Sequence, residues 1–551
     1  MTTENTPTSP FGNIALCLSG GGYRASTFAL GTVDMLDELG LLKDVKLFST
    51  VSGGSFTGVC YAAWLSEGKK YGEFYDDFYR FLKETNCIDL ALDDLYNTPS
   101  PSGSDDISLI RSAAHVYNDK LFKGRTFKLL IDEVGAGNRF LELIFNSTEF
   151  RLGDSFRFRA SRDPKVNAGN GAFNVAKDIA SEVLLADIVA ASSCFPGAFE
   201  PIRFPEDFVW ESGLTEIRDR LVQNIDNRPS GFEGGGGDCI SLPLMDGGIY
   251  DNQGISNAVM ADTGRVFDLF FITDTSPRDE DMMPYPKPDT ADGWLTIDML
   301  FWAAAALFTF AMVSAGMLIF YLFTAVNIAR LSWLQIVFQF LSPFALFLIL
   351  AGILGWIYDL FRKNKVIEVS GAKFKLWDVA KHMTMPDFIN MVKARFTSLG
   401  AMASDVFMKR IRSLEFKNVM EDARLRKQVN FNLIYDLNPS TPPDIWKLAP
   451  DLVPTDELKK ISADAEAVPT TLWFDHETDQ QTLIVCGQCT AVYSLLKFMW
   501  ERWQDEQEGS PSPVPKPDDP ASPYYDTYMR LKAVWDKLKT DPSTFLDRPR
   551  T

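Results

Sequence analysis

Three short stretches carry residues whose types and order could do chemistry on a carbonyl group. In "FSTVSGGSFTGV", Ser55 follows Gly53 and Gly54 between a strand-like run and a helical pattern. A serine on such an elbow exposes its hydroxyl, and its small neighbours permit the sharp turn. In "LPLMDGGIYDNQG", Asp246 ends an apolar run and two glycines follow. A carboxylate at a strand end can accept the proton of a serine hydroxyl. In "LCLSGGGYRAS", Gly20, Gly21 and Gly22 separate an apolar run from a helical one, with Arg24 just beyond. Bare backbone N–H groups beside a helix N-terminus hold negative charge, either a phosphate or a transient oxyanion. Each stretch alone is also what an ordinary βα turn or Asp-Gly turn looks like.

Elimination narrows the chemistry. No G-K-[ST] follows the triple glycine, so it is not a P-loop, and the G-x-G-x-x-G spacing of dinucleotide sites is absent. A serine hydrolase triad needs a histidine base. His115, His382 and His476 are the chain's histidines, and none stands in a glycine-rich context. A Ser–Asp dyad needs none. The glycine turn then reads as an oxyanion hole, a contribution of several kcal/mol to the barrier.

The elements that must position these residues follow from the pattern. "IALCLS", "KLFSTVS", "RFLELIFN", "VFDLFFITDTS" and "QVNFNLIYDL" read as strands, and residues 23–39 and 56–65 as helices. Apolar runs each followed by a helix predict an α/β fold with a mostly parallel, covered sheet. The composition, 46% apolar and 13% aromatic, is that of a folded chain. A net charge of −19 over 551 residues argues against nucleic acid as a partner. Seven scattered cysteines suggest reduced thiols rather than a disulfide framework. Cys486 and Cys489 form a C-x-x-C pair read as structural, because no second pair or histidine cluster completes a zinc site. No metal and no cofactor is expected.

Residues 299–329 and 331–358 carry no charged side chain, and Arg330 alone divides them. Each stretch exceeds the ~20 residues of a membrane span. They predict a two-helix transmembrane hairpin with a short connection. Arg362, Lys363 and Lys365 follow the second stretch, which puts both flanks on the cytoplasmic side. The expected organisation is a flexible N-terminal tail at 1–10, a catalytic domain at 11–297 and the hairpin at 298–361. The C-terminal part of the cytoplasmic domain follows at 362–509, then a Pro-rich linker and terminal helix at 510–551.

Together the three stretches, in this order, resemble the patatin-like phospholipases. "LLADIVAASSCFPGAFEPI" resembles that family's segment beside the active site, and "FNSTEFRLGDSFRF" its strand pair between elbow and acid. The resemblance covers residues 11–277. It implies a patatin-like sheet flanked by helices and hydrolysis of lipid acyl esters without a metal. Carried over, Ser55 is the nucleophile, Asp246 the base, and Gly20, Gly21, Gly22 and Arg24 the oxyanion hole. Thr57 and Ala25 stand where many members have glycine, and the hairpin is not part of the usual core. The implied partners are a lipid bilayer and a lipid ester, phospholipid, lysophospholipid or neutral glyceride. A second reading is a non-catalytic membrane protein that uses the fold to bind lipid or to assemble.

Overall fold

The computed structural model describes residues 10–278 except 99, 101–102, 104–106, 138, 163–166, 171–172, 224–240 and 263. It also describes residues 296–323, scattered positions from 342 to 406, and residues 408–550. The glycine-rich run at 231–238, the connection at residue 330 and the basic residues Arg362, Lys363 and Lys365 lie outside these. The chain divides into two compact units, Met1–Asp281 with Ala403–Thr551, and Met282–Met402.

In the first unit the strands are β1 Ile14–Leu18, β2 Val45–Val51, β3 Glu142–Glu149, β4 Asp154–Ser161, β5 Ala168–Gly169, β6 Asn174–Val175, β7 Ile202–Phe204, β8 Leu242–Asp246 and β9 Leu269–Asp274. β10 Ile367–Val369 and β11 Ala372–Phe374 pair with each other in the second unit, and β12 Val429–Leu433 returns to the first. The main sheet runs β12-β9-β1-β2-β3-β4-β5-β6, with β8 on β3 and β7 on β8. β12, β9, β1, β2 and β3 are mutually parallel, while β4 and β8 run antiparallel to β3. The sheet is therefore mostly parallel at its centre, and continuous apolar runs such as Ile14–Leu18 and Leu269–Asp274 are buried throughout. That is the pattern of strands covered on both faces.

Four helices matter for the site: α1 Gly22–Glu38, α2 Gly53–Ser66, α3 Leu185–Ser193 and α4 Met408–Glu421. α5 Glu477–Gly509 and α6 Tyr525–Thr540 complete the unit. α5 is long and apolar enough to cross a membrane by length and composition, yet most of its apolar window is buried inside the protein. It is a core helix, and Cys486 and Cys489 lie buried on it. α5 packs against α1 where side chains vanish. A Cβ on Gly487 would lie 2.3 Å from the Phe28 carbonyl oxygen, and one on Gly31 2.2 Å from that of Ile484. Gly487→Val should accordingly force the two helices apart. Overpacking of this kind costs about 1–3 kcal/mol, read as a lower thermal midpoint; an unchanged midpoint would mean that the crossing is looser than the geometry requires.

In the second unit the helix Ile297–Phe323 is 27 residues long. Its large apolar side chains, among them Trp302, Phe310, Met317 and Phe320, are exposed. Phe308 meets Phe347 at 4.9 Å between ring centroids, and residues 345–352 are helical.

Candidate active site

β2 ends at Val51 and α2 begins at Gly53, so the junction residue is Ser52. Ser52 has φ 49° and ψ −118°, a conformation that costs a non-glycine residue about 1–3 kcal/mol. Its N–H donates to Ser192 Oγ at 2.9 Å, and its carbonyl accepts the Ser55 N–H at 2.9 Å. This is the strained elbow expected at Ser55, three residues earlier. Ser55 itself is wholly buried in the first turn of α2. Its Oγ is engaged at 2.8 Å with Thr50 Oγ1 and at 2.8 Å with Ser192 Oγ. Ser55 is thus a brace under the elbow rather than the exposed hydroxyl expected of it, and the strained junction residue is Ser52, 7% exposed.

Asp246, at the end of β8, is 2% exposed. Antiparallel pairing sets it opposite Ser147 on β3, which carries it to the level of the elbow. Its Oδ1 accepts the Gly248 N–H at 2.7 Å. Burial pushes its pKa up to about 6, and hydrogen bonding from the Ser52 side chain and the Gly248 N–H holds it from rising further. Of the two elbow serines, Ser52 is the one whose side chain holds down the Asp246 pKa.

The glycine turn divides. The Gly20 N–H is spent on the Asn252 carbonyl at 2.9 Å, so Gly20 is a structural link and not an open donor as expected. Arg24 also departs from expectation. It is buried, donates Nη1 to the Val468 carbonyl at 3.0 Å, and its pKa is held down by burial. Gly21 and Gly22 have positive φ, 137° and 54°. Among the described residues no acceptor takes the N–H of Gly21, Gly22 or Gly53. The last is the residue after Ser52, at the N-terminus of α2. Gly22 and Gly53 touch: a Cβ on Gly53 would lie 2.1 Å from the Gly22 carbonyl oxygen. Two glycines are needed for the elbow and the turn to close on one point, with helix N-termini behind both. A Cβ on Gly54 would strike the Leu18 carbonyl at 2.4 Å, so the second elbow glycine seats α2 on β1.

Thr57, one of the departures from the family pattern, bonds the Ser26 carbonyl at 2.8 Å and joins α2 to α1 without disturbing the elbow. Ser192, in the quoted "AASSCF" stretch but not singled out there, fixes both serines and donates to the Asn146 carbonyl at 2.6 Å. Nothing in its local sequence marks it. Ser52 did carry a signal, since "TVSGG" is a G-x-S-x-G elbow with Thr50 in place of the first glycine. His115 pairs with Asp94 on the surface and His476 precedes α5, both apart from this cluster, while His382 lies outside the described residues.

A strained serine, a buried carboxylate and unspent N–H groups are what acyl transfer requires. Residues 16–259 match the Patatin-like phospholipase family model. The chain is also similar to solved structures of human GIVD cytosolic phospholipase A2. One has 14% identity and a TM-score of 0.31, covering 51% of this chain and 47% of that one. A second, in complex with methyl gamma-linolenyl fluorophosphonate, has 15% identity and a TM-score of 0.30, covering 48% and 41%. The chain thus spans about half the length of the structures it matches. No curated protein matches it.

Proposed function

We propose that this chain is a lipid acyl hydrolase working through a Ser52–Asp246 dyad. The observation that supports this is Ser52, held at φ 49° between β2 and α2, whose side chain holds down the pKa of the buried Asp246. Asp246 takes the hydroxyl proton as Ser52 Oγ attacks the ester carbonyl. The oxygen that becomes negative is received by the N–H groups of Gly21, Gly22 and Gly53. Collapse expels the alcohol, which takes the proton back from Asp246, and leaves an acyl-serine. Water, activated by the same carboxylate, then releases the fatty acid. The Patatin-like phospholipase match favours a phospholipid ester; glycerides would undergo the same steps. A fluorophosphonate probe tests the assignment. It should modify Ser52 and leave Ser55 unmodified, as read by peptide mass spectrometry. A chain that takes no label and cleaves no ester would instead be a lipid-binding module.

We further propose that residues 299–358 anchor the protein in a bilayer, with the catalytic unit on the cytoplasmic side. At 1.5 Å per residue the helix Ile297–Phe323 is about 40 Å long, more than the ~30 Å hydrocarbon thickness. Its exposed Trp302, Phe310 and Met317 are the surface that lipid would cover. Replacing residues 299–358 with a Gly/Ser linker should move the protein from the membrane to the soluble fraction. It should also spare cleavage of a dispersed short-chain ester and slow attack on bilayer lipid, because anchoring raises local substrate concentration. Retention in the membrane fraction after the replacement would refute the anchor.

A further inference from the structure

We propose that Arg412 is a positioning residue for the glycine turn; this rests on the hydrolase reading above. Arg412 lies on α4, the first continuous helix after the second unit. Its Nε sits 2.7 Å from Asp274 Oδ2, at the end of β9, with both side chains buried. The same Asp274 oxygen accepts from Gln253 Nε2 at 2.8 Å. Gln253 follows Asn252, whose carbonyl holds the Gly20 N–H at 2.9 Å. Thr275 follows Asp274, and its Oγ1 donates to the Gly20 carbonyl at 3.4 Å. Both polar groups of Gly20 are therefore held by two segments that meet on one carboxylate, and Arg412 fixes that carboxylate.

The same helix reaches the acid side. The Met408 methyl lies 2.8 Å from where a Cβ on Gly248 would stand, beside Asp246 Oδ1. Glu415 accepts from Ser256 Oγ at 2.9 Å. Arg412 also donates Nη1 to the Pro277 carbonyl at 3.5 Å and Nη2 to the Tyr435 hydroxyl at 3.1 Å. It thereby ties the chain that returns after residue 402 to the chain that leaves before residue 282. α4 is the element through which the position of the chain's return sets the geometry of the oxyanion turn.

The test uses the full chain and a soluble p-nitrophenyl butyrate substrate. Arg412→Ala should lower kcat by about 10- to 100-fold, the cost of a small misplacement of reacting groups, with KM within about twofold. Arg412→Lys, which keeps the charge on Asp274, should recover part of the loss. Adding Gln253→Ala to Arg412→Ala should cost little more than the worse single change, since both act through Asp274. Lys417→Ala, on the exposed face of α4, should leave kcat unchanged. Full kcat in Arg412→Ala overturns the proposal. So does a loss in which kcat falls only in proportion to folded protein, or in which the two changes add. Ser52→Ala in the same assay separates the readings. If it is inactive while Arg412→Ala is fully active, only the positioning role fails; if it is active, the dyad fails.

Discussion

Ser52→Ala is expected to abolish ester hydrolysis, by about 10⁴-fold or more, while Ser55→Ala keeps turnover within about 10-fold of the parent. The two serines are three residues apart and flank the same pair of glycines, but the backbone gives them different work. Ser52 is held in a strained backbone conformation at the strand end, and its side chain holds down the Asp246 pKa. Ser55 has completed the first helical turn and points into a buried cluster with Thr50 and Ser192. Losing its hydroxyl removes one buried hydrogen-bond partner, a stability cost of about 1–3 kcal/mol. Steady-state rates with a chromogenic ester, alongside thermal midpoints, distinguish the two effects. A folded Ser55→Ala variant without activity, beside an active Ser52→Ala, would return the nucleophile to Ser55.

Asp246→Asn should lose about 10³-fold or more in kcat/KM. Asparagine keeps the shape and can still accept the Gly248 N–H through its oxygen, but it cannot take the proton of Ser52. The parent's kcat/KM should fall as pH drops through about 6, where Asp246 becomes neutral. Asp251 is also pushed up to about 6 by burial, but its oxygens are committed to the N–H groups of Gln253, Gly254 and Ser256. Both folded pKa values exceed the ordinary ~3.9 of aspartate. Protonating these two groups between about pH 6 and pH 4 therefore favours the folded state. The loss of turnover in that window is then a loss of base, and should appear without a fall in thermal midpoint from these groups. A flat pH profile down to 5 would sink the assignment of Asp246.

The sheet was legible because its strands are buried on both faces and so read as short apolar runs: Ile14–Leu18 and Leu269–Asp274 fall within stretches identified from pattern alone, and Val45–Val51 starts one residue before its own. Asp246 at a strand end and the positive-φ turn at Gly21 and Gly22 fall where the local sequence places them. The strained junction lies three residues before Ser55, since sequence shows two serines around Gly53 and Gly54 and the strand end at Val51 places Ser52 at the turn. Gly20 and Arg24 look alike as donors in sequence; what removes them is Asn252 and Val468, residues far along the chain. α5 escaped notice because a helix buried all round has no polar face and therefore no periodicity to read.

The sheet's edge strand β12 and the core helix α5 have a consequence for the time at which the site can exist. Both are synthesised after residues 282–402, yet β12 pairs with β9 and α5 packs on α1, whose first residue is Gly22. At ~5–20 residues per second the interval between β9 and β12 is on the order of ten seconds. Through that interval β1 and β2 already have their sheet neighbours, while β9 lacks β12 and α1 lacks the helix that packs on it. The order of elements along the chain thus leaves the support behind α1 and β9 to be completed only after the apolar segment has been synthesised.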